Sequence, residues 1–244
     1  MACPDENVVI LFKGGRLPSW FQLSDTQRRD VEQTHVDLML SVAQRHGMTR
    51  LEGFRLIDPQ DSWQRFWLIE FPSMTGAERW IEAEMAPPYG LYGFYEYQLS
   101  RPWNPDVYSR WVTDPAPTVV ALDADPHTIP VLNIDTQSIV LLMFDRFRPQ
   151  AEGMTPQQRG DVQHDDSMRE IARRRGLRRL EGFQLLTPQH DWHRAWVIEL
   201  PTLEAAEAWV EAEESLPYGM YVQRSFHLAR RWAPEYFMSW VKHR

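Results

Sequence analysis

The sequence predicts an α+β protein made of two copies of one β-α-β-β-α-β unit, packed sheet to sheet. Three observations predict it. Shifted by 129 positions, the chain matches itself without a gap, with 36 identities in the 78 positions of His35–Val112 against His164–Val241. Each copy mixes short β-rich runs with two helical segments. Cap and turn signals recur at matching places in both copies.

The first element of each copy is a β-rich run, VVILF (8–12) and SIVLLMF (138–144). A long helix follows over 25–46 and 155–175. Ser24-Asp25 and Thr155-Pro156 are cap-like starts, and Gly47 and Gly176 stand where a C′ glycine ends a helix. Two strands come next, at 50–57 and 64–71, then at 179–186 and 193–200. Turn chemistry of the Asp-Pro-Gln-Asp type separates them. A second helix covers 75–86 and 203–215, and it stops before Pro87-Pro88 and before Pro217. The last strand runs over 91–99 and 220–228. This order is the ferredoxin-like split unit, whose four-stranded sheet carries both helices on one face. Two copies in one chain can bury the bare faces against each other. The boundaries are therefore 1–112 and 138–244, with the Pro/Asp-rich segment 113–137 as linker.

Composition narrows the class. Of 244 residues, 43% are hydrophobic and 25% charged, an ordinary globular balance. No run approaches the ~20 apolar residues of a membrane-spanning helix. The start, MACPDENVV, lacks the pattern of a secretory signal. Cys3 is the single cysteine, which excludes an internal disulfide framework and a cysteine metal site. A cytoplasmic home is the expectation. The net charge of −8 argues against nucleic acid as partner. The one basic run, Arg173 to Arg179, falls at a helix end, where it complements the dipole.

Histidine is the natural candidate for chemistry near neutral pH. Of the eight, only His35 and His164 match across the repeat. His35, Leu38, Met39, Val42 and Ala43 fall on one apolar helix stripe, as do His164, Met168, Ile171 and Ala172. Both histidines should face the sheet, either as core residues with a backbone partner or as general acid/bases in a pocket. Asp37 and Asp166 lie two residues on, about 200° around the helix, which points them to solvent. Glu70 sits in apolar RFWLIEF and needs a partner, for which Arg65, Arg55 and Arg101 are the candidates. Glu84 reads as a solvent-reaching residue at the edge of the Ala77-Trp80-Ile81 stripe. Ten of the eleven tryptophans form matched pairs. Most are core, but Trp67 and Trp196 can wall a pocket for a planar ligand. Tyr89, Tyr92, Tyr218 and Tyr221 mark the turn into the last strand. That strand is more aromatic in the first copy, YGFYEYQL, than in the second, YVQRSFHL.

A set of motifs carries a resemblance. The His-x-Asp of the first helix is followed by FPS or LPT, AERWIEAE or AEAWVEAE, PYGLY or PYGMY, and a closing Leu-x-Arg-x-Trp. Together they resemble the dimeric α/β barrel superfamily over 8–112 and 138–241. The YCII-like proteins are the nearest flavour, with EthD-like and antibiotic-biosynthesis-monooxygenase-like modules as cousins. The resemblance implies two fused ferredoxin-like units forming an intramolecular barrel with pseudo-twofold symmetry. It does not choose an activity, because that fold hosts isomerases, dehydrochlorinases, cyclases, cofactor-free monooxygenases and haem proteins.

The expectation drawn from both readings is a cofactor-free isomerase, lyase or monooxygenase-like enzyme. Its substrate is a small aromatic or lactone-like molecule bound between helices and sheet. His35, His164 and Tyr92 are the catalytic candidates. Arg65, Trp67, Glu70, Tyr89, Arg194, Trp196 and Tyr221 are the substrate-binding candidates, and no metal is expected. The first alternative is a haem-binding protein or haem enzyme. The second helix offers no histidine in either copy, so His35, His164 or His227 would ligate the iron. The second alternative is a non-catalytic ligand-binding or assembly module. The partner is a small molecule, with neither nucleic acid nor membrane. Exposed strand edges allow a homo-oligomer of the pseudo-dimer.

Overall fold

The computed structural model describes residues 7–60, 63–115, 137–155, 157–159, 165–187 and 191–232. His164 and residues 116–136 of the expected linker lie outside them. The fold is mixed, with antiparallel sheet and helices, and no described helix is long and apolar enough to cross a membrane. The chain divides into two compact units. Among the described residues, the first takes those up to Arg101 together with Arg231 and Trp232. The second takes those from Pro102 to Arg230.

In the first unit the order is β1 (Val8–Arg16), α1 (Asp25–His46), β2 (Arg50–Gln60), β3 (Trp63–Phe71), α2 (Met74–Glu84) and β4 (Gly93–Trp103). Strand β1 lies between β3 and β4, and β2 flanks β3, all antiparallel. Helix α1 starts at a full capping box. Gln27 N donates to Ser24 Oγ at 3.3 Å, and Ser24 N donates to Gln27 Oε1 at 2.9 Å. It ends at Gly47, whose φ of 64° is left-handed, a conformation that glycine adopts without a Cβ clash. Val8, Ile10 and Phe12 of β1 and Trp67, Ile69 and Phe71 of β3 pack against Met39, Ala43, Ala77 and Trp80 of the helices. The helix stripe is rotated from the one expected. Val36 is buried and Leu38 is 39% exposed, while His35, Met39 and Ala43 face inward.

The second unit repeats the order: β5 (Ile139–Phe147), α3 (Asp165–Arg175 among the described residues), β6 (Arg179–Leu185), β7 (Arg194–Leu200), α4 (Leu203–Glu214) and β8 (Val222–Arg231). Strand β5 lies between β7 and β8, with β6 beside β7. Thr202 caps α4 by accepting from Ala205 N at 3.2 Å. Met143, Trp196, Ile198 and Trp209 centre this core. Trp103 at the end of β4, and Tyr108 and Trp111 after it, belong to it as well.

The strand pairing shows an offset that the gapless repeat hides. Phe12 and Gly14 stand opposite Trp67 and Arg65, and Met143 and Asp145 stand opposite Trp196 and Arg194. The first strands of the two copies are therefore 131 residues apart, against 129 for the rest. Asp145 takes the place of Gly14.

Candidate functional site

Each unit has a cleft between its sheet and its helices. The first holds about 590 Å³ of space between its atoms, open solvent at its mouth included. Phe12 and Gly14 of β1, Arg65, Trp67 and Ile69 of β3, and Leu51 of β2 form its floor. His35, Val36 and Met39 of α1 and Trp80 and Glu84 of α2 form its roof, and Arg16, Tyr89 and Tyr95 close one end.

Two helices bring His35 and Glu84 together. His35 Nε2 lies 3.3 Å from Glu84 Oε2, and the two side chains are 6% and 9% exposed. This corrects the expectation of a solvent-reaching Glu84. Helix α2 buries Ala77, Trp80 and Ala83, and Glu84 follows Trp80 by one turn onto the same side. The His35 ring stacks on Tyr89, with centroids 3.6 Å apart and planes at 5°. Its other nitrogen, Nδ1, is buried and has no hydrogen-bond partner among the described residues. The indole nitrogen of Trp80 is likewise buried without one. Burial, aided by the Glu84 charge and opposed by Arg16, pushes the Tyr89 hydroxyl up to about 12, so it stays protonated at neutral pH. Burial raises Tyr95 as well, and its hydroxyl donates to the Tyr89 carbonyl at 3.2 Å. Arg16 lies over the Trp20 and Tyr89 rings at 4.0 and 4.3 Å.

The second cleft, of about 510 Å³ with open solvent at its mouth included, has equivalent walls but different polar groups. Arg194 Nε donates to Asp145 Oδ1 at 2.7 Å, and Trp196 Nε1 donates to Asp145 Oδ2 at 2.6 Å. Burial lowers the Arg194 pKa, but Asp145 and Tyr218 outweigh it, and the net shift is upward. Glu213, the repeat partner of Glu84, meets Arg224 Nη2 at 3.0 Å. Arg224 stands where the first copy has Tyr95. Burial outweighs that contact and pushes Glu213 up to about 7.

The candidates named from sequence divide. His35, Arg65, Trp67 and Tyr89 line the first cleft, and Arg194 and Trp196 line the second. His164 lies outside the described residues. Tyr92 packs on Trp20 at 5.8 Å and is not among the lining residues. The Tyr221 carbonyl accepts from Arg148 N, and this tyrosine does not line the second cleft. Glu70 is not in the cleft either. Its carboxylate accepts from the Asn7 amide at 2.7 Å, in place of an arginine. Asp37 is exposed and accepts from Gln33 at 2.9 Å, as its helix position implies. His227, the other described candidate for iron, lies 3.0 Å from Ser225 Oγ and lines neither cleft. Sequence reasoning missed Arg16, Asp145 and Tyr95. The first two lie in the loop end of a first strand, where the copies are out of step.

No family model and no curated protein sequence matches the chain. Solved structures do. An arginine variant of chlorite dismutase from Candidatus Nitrospira defluvii matches at TM-score 0.69 and 11% identity, over 98% of this chain and 96% of that one. The same protein in complex with imidazole matches at 0.68 and 11%, over 97% and 95%. A tryptophan variant in complex with cyanide matches at 0.67 and 11%, over 97% and 95%. Nothing among these matches points to the YCII-like flavour. The neighbours are chlorite dismutases, among them complexes with cyanide and with imidazole, and against them the expectation of a cofactor-free enzyme with no bound group does not stand. At this identity the likeness establishes the fold: the chain is chlorite dismutase-like in architecture.

Proposed function

We propose that the chain binds haem in the first unit's cleft, with His35 as the iron ligand. The observation that carries this reading is the His35–Glu84 arrangement. Glu84 takes one ring nitrogen at 3.3 Å, and the other has no partner among the described residues. A buried polar atom without a partner costs about 1–3 kcal/mol, and a ligand that supplies one recovers it. A metal-binding histidine characteristically donates its second nitrogen to a carboxylate, which fixes the ring and raises its basicity. The donor set therefore fits haem. Bound haem supplies an iron with a coordination position for a small ligand and for redox chemistry on it. Glu84 and the stacked Tyr89 hold the imidazole plane. Met39, Leu51, Trp67, Ile69 and Trp80 exclude water and present apolar walls to a flat macrocycle. The imidazole and cyanide complexes of the neighbours are the kind expected of an accessible iron centre, and an enzyme acting on a small oxidant belongs to this reading.

The repeat supports two fused ferredoxin-like units, 1–112 and 138–244, joined by 113–137, and a homo-oligomer belongs to the same reading. An absorbance titration with hemin tests the function. The expected result is a Soret band that saturates near one equivalent and is lost in His35→Ala. A spectrum no different from free hemin rules the reading out.

A further inference from the structure

We infer that the second cleft is a ligand site of its own, for a small neutral planar molecule whose carbonyl oxygen accepts from Trp209 Nε1 and Arg194 Nη2. This does not rest on the haem reading of the first cleft. No histidine is among the described residues that line the second, so that reading does not extend to it.

Two buried donors carry the inference. Trp209 on α4 is 1% exposed, and its indole nitrogen has no hydrogen-bond partner among the described residues. Asp145 and Tyr218 hold Arg194 of β7, yet its Nη2 atom is also buried without a hydrogen-bond partner among those residues. Both side chains line the cleft. An indole N–H and a guanidinium N–H can donate and cannot accept. Buried donors left unpaired are costly, and a ligand that enters with an acceptor oxygen removes that cost. The nearby carboxylates are engaged. Asp145 takes Arg194 Nε and Trp196 Nε1, and Glu213 meets Arg224 at 3.0 Å.

The walls and the charges set the class of ligand. Trp196 meets Trp103 at 5.3 Å and 77°, and Tyr108 at 5.0 Å and 84°, edge against face. With Met143, Met168 and Leu180 these rings make a flat-sided apolar space. The lining carries Asp145, Asp165 and Glu213 against Arg194. Arg194 answers Asp145 and Arg224 answers Glu213, which leaves the half-buried Asp165 as a negative excess. A carboxylate or phosphate is opposed there, and a neutral carbonyl is not. The first copy keeps the same anchor. Trp80, the repeat partner of Trp209, also has its indole nitrogen buried without a partner among the described residues. Around it the second copy has Asp165 for Val36 and Arg224 for Tyr95, so the donor is common to both clefts and the charges are not.

Coumarin and chromone are probes of this class, and the Trp209 Nε1–H resonance of the full isotope-labelled chain reads their binding. That resonance is assigned by its loss in Trp209→Phe, or by backbone connectivity if the variant does not fold. Either probe should move it downfield, the direction of a hydrogen bond formed, until it saturates. Naphthalene, of similar shape without an acceptor, should not. Naphthoate, which adds a negative charge, should bind about ten-fold or more weakly than coumarin. Arg194→Lys keeps a cation beside Asp145 and loses Nη2, and it should weaken coumarin binding about ten-fold. Thermal melting shows whether Arg194→Lys folds, and the wild-type titrations decide if it does not. No saturable downfield shift with either carbonyl probe overturns the inference. An equal shift with naphthalene, naphthoate bound as tightly as coumarin, or unchanged affinity in folded Arg194→Lys overturns it as well.

Discussion

Asp145→Ala is the substitution whose cost the structure makes most explicit. The change removes a carboxylate that holds Arg194 at 2.7 Å and the Trp196 indole at 2.6 Å. Asp145 and Arg194 have side-chain exposures of 4% and 13%, so water cannot take over either contact. Breaking a buried ion pair from one side leaves the other charge uncompensated and costs about 3–5 kcal/mol. Backbone strain adds nothing, since Asp145 already carries a Cβ on a regular strand. Urea unfolding followed by tryptophan fluorescence measures the loss. Arg194→Met strands the carboxylate instead, and the double variant removes both charges. The double variant should therefore lose less than the two single losses together, by about 2 kcal/mol or more. A loss below about 1 kcal/mol in Asp145→Ala, or simple additivity, refutes the claim that this cluster is held by charge pairing.

Three further outcomes follow from single residues. Glu213 titrates near 7 when folded, against 4.5 as its ordinary value, so the folded state retains a proton that the unfolded chain releases. Stability from this group is full below about pH 4.5 and falls as pH rises through 7, by up to about 3 kcal/mol. Glu213→Gln should flatten that slope in urea midpoints taken at about pH 5 and 8. Ser24→Ala removes both bonds of the Ser24 hydroxyl, the one it accepts from Gln27 N and the one it donates to Gln27 Oε1, and should lower stability by about 1 kcal/mol in chemical denaturation. Gly47→Ala should cost about 1–2 kcal/mol from its φ of 64° alone, because its Cβ would have room, with Pro72 Cγ as its nearest neighbour at 3.9 Å. A neutral Gly47→Ala would contradict the left-handed helix end.

Much of the fold was legible because the chain states it twice. Matching caps, prolines and glycines in both copies mark α1, α2 and α4 to within a few residues, and Gly176 marks the end of α3. The helix face was less legible. Leu38 and Val36 are both apolar, and only packing decides that Val36 turns inward. Glu84 misled for a related reason. A glutamate at a stripe edge ordinarily reaches solvent, and its burial depends on a histidine 49 residues earlier in the chain. His35, Arg65 and Trp67 were found because titratable or aromatic side chains on an inward face stand out in sequence. Asp145 was hidden by the two-residue slip in the first strand, which set it against Arg16 in the gapless repeat. The tryptophans at 103 and 111 gave no sign of the unit they serve, since contacts distant in sequence assign them.

The most direct test of the account is the spectrum of a His35→Gly variant with hemin, before and after imidazole is added. Removing the side chain should abolish the Soret band and leave a hole of imidazole shape beside Glu84 and Tyr89. Added imidazole should enter that hole and restore the band. A variant that binds hemin with the wild-type spectrum and takes no notice of imidazole would contradict His35 as the iron ligand.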